Sequence, residues 1–252
     1  MWEESREALA PLSLGNRTRI LDAGAGTGEL ARVLDADSPG TVVCLDADPE
    51  LLEVARAETG LETVGGDATR PPFVRDSFDL VVCQALLVNL PDPAAALRAF
   101  SALSTDLVAA IEPDNGDVGV DSSVEREVEL EQRVRQAYIE GVETDVSMGE
   151  NLVSLFRESG LSDVHTRRYY HRKVTEPPYS KQALAAATRK ASGGALAQHE
   201  RELRKTLSTA EYDALRSEWR EMGRAVIRAM REGTYRRAEV VPFDVVVGRV
   251  GD

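Results

Sequence analysis

The sequence predicts an α/β chain: a mostly parallel sheet with helices on both faces, followed by a helix-rich second half. Three observations carry this. Short apolar runs alternate with amphipathic segments through residues 18–111. One run, Phe78 to Cys83, is almost continuously apolar, as expected of a strand covered on both faces. The first run ends in Asp22-Ala23-Gly24-Ala25-Gly26-Thr27-Gly28, an acid followed by three alternate glycines. That string reads as a strand, a tight turn and a helix start, because glycine permits positive φ and a close ligand approach to the backbone.

The elements follow in order. Strands are expected at Thr18–Asp22, Thr41–Leu45, Leu61–Val64, Phe78–Cys83 and Leu107–Ile111. Helices are expected at Thr27–Leu34, Pro49–Ala57 and Pro93–Leu103, with Pro49 at a first helical position. In the second half, Ser122-Ser123-Val124-Glu125, Ser147-Met148-Gly149-Glu150 and Ser208-Thr209-Ala210-Glu211 each have capping-box spacing and open a helix. Gly160 ends the second of these. Asp163–Val174 is expected to be extended. After Ser208, Tyr212, Leu215, Trp219, Met222, Val226 and Met230 recur at helical spacing and make one apolar stripe. Glu239–Val250 closes the chain as a strand, and Ser192-Gly193-Gly194 is the expected flexible point of the helical stretch.

Composition narrows the function. The formal net charge is -13, from 43 acids and 30 bases. Such a field repels nucleic-acid phosphates and anionic membranes. Only Lys173, Lys181, Lys190 and Lys205 are lysines, which suits either a high-salt host or an arginine-favouring genome. Cys44 and Cys83 fall in expected buried strands, with neither a disulfide framework nor zinc spacing. Without a leader-like start or a membrane-length apolar run, the expectation is a soluble, cytoplasmic protein.

The glycine pattern departs from the dinucleotide fingerprint, because Glu29 stands where the third small residue belongs. A glutamate beside a pyrophosphate argues against a nicotinamide or flavin dinucleotide. The second strand ends at Asp46, 22 residues after Gly24, where an acid can accept hydrogen bonds from ribose hydroxyls. The third leads into Gly66-Asp67-Ala68, where an acid can take an exocyclic amine.

Together these residues resemble the class I S-adenosylmethionine-dependent methyltransferases, well over residues 15–113 and more loosely through Met148–Leu152 and Gly160–Val164. The resemblance implies a Rossmann-like fold over residues 1–252 as a single methyltransferase domain, with helical cap segments at about 116–146 and 180–236. It implies S-adenosyl-L-methionine as cofactor. Asp22, Ala23, Gly24, Gly26 and Gly28 would surround its amino-acid part, Asp46 and Ala47 its ribose, Asp67 and Ala68 its adenine, and Cys83 and Gln84 the floor below its methyl group. No metal is implied. Acids suit a ligand carrying a sulfonium and an ammonium.

Methyl transfer is an in-line displacement that depends mainly on positioning. Glu112, Asp114 and His171 are the candidate bases, each with a structural alternative as strand-end cap partner, turn residue and solvated strand residue. Glu176-Pro177-Pro178-Tyr179 looks like the motif of methyltransferases acting on base or glutamine nitrogens, but that motif belongs after the fourth strand. Arg167-Arg168-Tyr169-Tyr170-His171-Arg172-Lys173 reads as an edge strand or as a nucleic-acid patch. Tyr138, Trp219, Met222 and Tyr235 are candidates for an apolar acceptor pocket. The expected function is methyl transfer to a small molecule. The alternatives are an RNA or protein methyltransferase, a non-catalytic regulatory binder of the cofactor and, further off, a nicotinamide oxidoreductase. Oligomeric state is not legible.

Overall fold

The computed structural model describes residues 2 and 5–251. In chain order the elements are β1 (Arg19–Ala23), α1 (Glu29–Asp37), β2 (Thr41–Asp46), α2 (Pro49–Thr59), β3 (Glu62–Gly65), β4 (Phe78–Gln84), α3 (Pro93–Leu103) and β5 (Ser104–Pro113). There follow β6 (Gly119–Ser122), α4 (Glu125–Gly141), α5 (Gly149–Glu158), β7 (Leu161–Thr175), α6 (Lys181–Ser192), α7 (Gly194–Ala197), α8 (Glu200–Thr206), α9 (Thr209–Arg231) and β8 (Arg237–Val250).

The chain divides into two compact units. The first comprises residues up to 114, 148–169 and those from 243. Its sheet runs β3-β2-β1-β4-β5 in parallel. The second half of β8 adds antiparallel to β5, with Ile111 opposite Val245. Side chains of a strand point alternately to its two faces, and the core divides accordingly. Ile20, Cys44, Leu80 and Val82 pack on one face with Leu30 and Leu34 of α1. Leu21, Val43, Val81 and Cys83 pack on the other with Phe100 of α3 and Phe156 of α5. Burial on both faces explains why these strands read as apolar runs.

Local chemistry sets the helix ends. Asp48 caps α2 by accepting from the Glu50 amide at 2.8 Å, with Pro49 at the first helical position and left-handed Gly60 closing the helix. Asp92 caps α3 by accepting from Ala95 N at 2.9 Å.

The second unit comprises residues 115–147 and 170–242. It therefore holds both stretches expected to be helical caps, together with residues 170–179. Here β6, a strand the sequence did not signal, pairs antiparallel with the first half of β8. The apolar stripe of α9 is buried, but against Leu130 and Ala137 of α4, Ala187 of α6 and Leu203 of α8 rather than against a sheet. Helices α6 and α9 cross closely at Gly223, where a Cβ would fall 2.4 Å from the Ala191 amide nitrogen.

The three capping boxes fare differently. Ser208 and Glu211 form both reciprocal bonds. At α4 the N-cap is Val124 and no side chain caps it, because the Ser122 hydroxyl accepts from Val124 N and donates to Glu127 Oε2 at 2.5 Å. At α5 the N-cap is Met148, again without a side-chain cap. The β7 segment is extended as expected, pairs with β8 and keeps most of its side chains exposed, which is the edge-strand reading.

Candidate functional site

Asp22 is the centre of the site. It lies on β1 between Cys44 of β2 and Val82 of β4, and it is 1% exposed. Among the described residues, neither carboxylate oxygen has a hydrogen-bond partner of good geometry, the Ala31 amide being the nearest donor. Burial pushes its pKa up to about 7; the Ala31 backbone offsets this only in part, and Asp46 adds like-charge repulsion. An unpaired buried carboxyl is costly, so its presence marks a place where a ligand cation would be welcome.

The crevice above it, about 190 Å³, is lined by Asp22, the loop from Gly24 to Thr27, Glu29, Leu30 and Gln84. Gly24, Gly26 and Gly28 all have positive φ, but only two are packed. A Cβ at Gly24 would lie 2.8 Å from Leu86 Cδ1, and one at Gly28 would lie 3.0 Å from Thr59 Cγ2. A Cβ at Gly26 would meet nothing within 4 Å. This open position is the face on which a ligand can lie against the backbone.

Asp46 fixes that loop: its Oδ2 accepts from Gly26 N at 2.8 Å and its Oδ1 from Asp48 N at 2.9 Å. A carboxylate has further acceptor capacity for hydroxyls. The next strand end is tied to it, since Gly66 N donates to the Asp46 carbonyl at 2.9 Å. Exposed Asp67 accepts from the amide and hydroxyl of Thr69, and these bonds hold its carboxyl below the usual range. Ala68 beside it is buried and Ala47 exposed.

Cys83 requires a correction. Its side chain is fully buried on the opposite face of β4 and meets Glu112 Oε1 at 3.6 Å, so it does not line the crevice. Burial, with Glu112 nearby, raises its thiol well above the ordinary range. Gln84 does line the crevice, and its Oε1 accepts from the Trp2 indole at 3.0 Å. Nothing in the sequence pointed to Trp2.

The three candidate bases differ in their surroundings. Glu112 accepts from the amides of Leu86 (3.1 Å), Leu87 (3.0 Å) and Val88 (3.3 Å), clamping the turn after β4. Burial still lifts its pKa to about 7, against the lowering by those amides. Asp114 receives Arg168 at 2.8 Å, and Arg168 also forks onto Asp244. His171 stands on the part of β7 that belongs to the second unit, and Tyr179 of the Pro-Pro-Tyr string donates to the Tyr235 carbonyl there at 3.0 Å. Neither stands after β4. Of the four residues expected around an acceptor, Tyr235 lines a cavity of the second unit, Trp219 and Met222 are core, and Tyr138 packs partly buried against that core.

The glycine-shaped crevice lies at the carboxyl ends of β1 and β4, the edge of a parallel sheet where open α/β folds generally take ligands. Residues 21–103 match the family model described as "Methyltransferase domain". The chain is 23% identical over 193 residues to a demethylmenaquinone methyltransferase of Lactiplantibacillus plantarum, covering 65% of this chain and 78% of that protein. It is 35% identical over 104 residues to 2-methyl-6-phytyl-1,4-hydroquinone methyltransferase 2 of rice, covering 38% of this chain but 30% of that one. It superposes on the YcgJ protein of Bacillus subtilis with a TM-score of 0.58 and 16% identity, covering 98% and 100% of the two chains. Residues 21–103, a third of the chain, are thus similar to the methyltransferase domain family.

Proposed function

We propose that this protein transfers the methyl group of S-adenosyl-L-methionine to a small organic acceptor, with the cofactor in the crevice above Asp22. The carrying observation is the buried, unpartnered Asp22 carboxyl in a glycine-lined crevice. Its residues fit the cofactor: Asp22 would take the ammonium, the open backbone at Gly26 the amino-acid chain, Asp46 the ribose hydroxyls, and Asp67 with the Ala68 backbone the adenine. When bound, the cofactor supplies a methyl group on a cationic sulfur. The chain's part is to hold the acceptor atom in line with it and to exclude water. Asp114, bound to Arg168, and Glu112, bound to three amides, are engaged in the fold, which favours positioning over a dedicated base. Quinone-type acceptors head the panel to be tested, because the matched relatives are named for them.

Two features support a small acceptor over a polymer. The net charge is -13. Within the basic stretch of β7, Arg167 pairs with Glu7 and Arg168 with Asp114 and Asp244, which leaves fewer cations for phosphates. The test is calorimetric titration with S-adenosyl-L-methionine and its demethylated product, followed by mass analysis of hydroquinones, phenols and amines for one added methyl. Micromolar binding with a methylated small product is expected. Saturation of the crevice by a pyridine dinucleotide, with no heat from the sulfonium, would overturn the reading.

A further inference from the structure

The second unit contains a cavity of about 440 Å³ made entirely of its own residues. That is within the usual range of small-molecule pockets. One wall is apolar, from Ala183, Ala186 and Ala187 of α6 with Val226 and Met230 of α9. Tyr179 and Tyr235 add ring surface.

Its charges fall into two groups. Inside, two cations are outnumbered by three acids: Lys190 binds Glu127 and Glu131, and Arg237 binds Glu131 and Glu239. Tyr235 donates to Glu127 at 3.0 Å. Arg237 Nε makes no hydrogen bond among the described residues, but it has no surface open to the cavity and stands 3.9 Å from Glu127 Oε1. At the rim the balance is different. Exposed Lys173 and Arg189 form no ion pair among the described residues, and Glu176 is the acid facing them from the lining. An apolar wall and a rim with one surplus cation are complementary to a single kind of molecule.

We propose that the helical unit carries a ligand site of its own, for a small amphiphile with an apolar body and a monoanionic, carboxylate-like head. The body lies against Ala186, Val226 and Met230, and the head accepts hydrogen bonds from Lys173 and Arg189 at the rim. In a chain of net charge -13, an anion is drawn only where cations are locally in excess, and here that excess lies at the rim, where Lys173 and Arg189 face Glu176, so the head would be held at the entrance. The proposal goes beyond the methyltransferase reading and does not rest on it.

The experiment is calorimetry on the full chain without cofactor, using octanoate, 1-octanol and octyltrimethylammonium as probes of matched length. Octanoate is expected to saturate one site and to bind ~10-fold more tightly than either comparator. Arg189→Glu and Lys173→Glu, both on exposed side chains, are expected to weaken octanoate ~10-fold without changing the thermal midpoint. Ala186→Phe, which fills the cavity, should remove octanoate binding while leaving titration with S-adenosyl-L-methionine unchanged. Equal affinity for all three probes, or octanoate binding that survives both the charge reversals and Ala186→Phe, would overturn the proposal. Failure of cofactor binding alone would leave it standing and would count against the methyltransferase reading instead.

Discussion

Asp22 and Glu127 are both fully buried acids, one in each unit, and their surroundings are opposite. Glu127 receives Lys190, the Tyr235 hydroxyl and the Ser122 hydroxyl, so its charge is answered on every side. Its neighbour Glu131 is penalised by burial, but Lys190 and Arg237 outweigh this and hold it below the usual carboxylate range. Asp22 has no such partners, and its pKa rises to about 7. The contrast teaches where to look for ligands. A matched buried charge is costly to break, whereas an unmatched one marks a candidate ligand position.

The largest effect is expected in the matched cluster. Glu127→Ala leaves Lys190 and Tyr235 facing an empty hole and should cost ~3–5 kcal/mol in a denaturant titration. A loss below 1 kcal/mol would break the comparison. Asp22→Asn should do the reverse: fold stability is kept or increased near pH 8, while affinity for S-adenosyl-L-methionine falls by roughly 2 kcal/mol, as for a lost charge-assisted hydrogen bond.

The sign of the pH effect follows from linkage. Asp22 titrates higher folded, at about 7, than unfolded, near 3.8. The folded state therefore holds the extra proton between these values, and this contribution to stability is present at low pH and lost as pH rises to 7. A cationic ligand favours the ionised carboxylate, so binding below pH 7 should release a proton. Calorimetry in buffers of different ionisation enthalpy would detect it, and Asp22→Asn should abolish Asp22's share. Glu112, also lifted to about 7, retains its own titration.

Smaller effects sharpen the picture. Glu112→Gln keeps one acceptor oxygen for the three amides of the turn after β4 and should cost ~1–2 kcal/mol, read by urea unfolding. Ser208→Ala removes the complete capping box of α9 and should cost ~1 kcal/mol, whereas Ser147→Ala, at a box whose serine does not cap, should stay within ~0.5 kcal/mol.

Much of the first unit was legible because its strands are covered on both faces and its helix ends carry their own chemistry. Asp48-Pro49 and Asp92-Pro93 are N-cap signals that need no tertiary information. The glycine loop was legible for the same reason, since positive φ at three alternate positions restricts residue choice locally. What failed depended on distant partners. Strand β6 is four residues long and gains its identity only by pairing with β8. The Ser122 box matched its pattern, but Glu127 took the hydroxyl. Cys83 was given the crevice although strand alternation, applied from Gln84, turns it to the other face. The Glu112 clamp was invisible because its donors are backbone amides, which any sequence supplies.

The helical unit is written into the chain in two instalments, residues 115–147 and 170–242, with part of the sheet unit between them. Its core draws on both, since Leu130 and Ala137 pack with Leu215 and Trp219. Neither instalment can therefore be grafted onto a related scaffold by itself. A chimera that exchanges ligand preference with a relative has to move both segments in one step, with the β8 junction at residues 242–243 as a third seam.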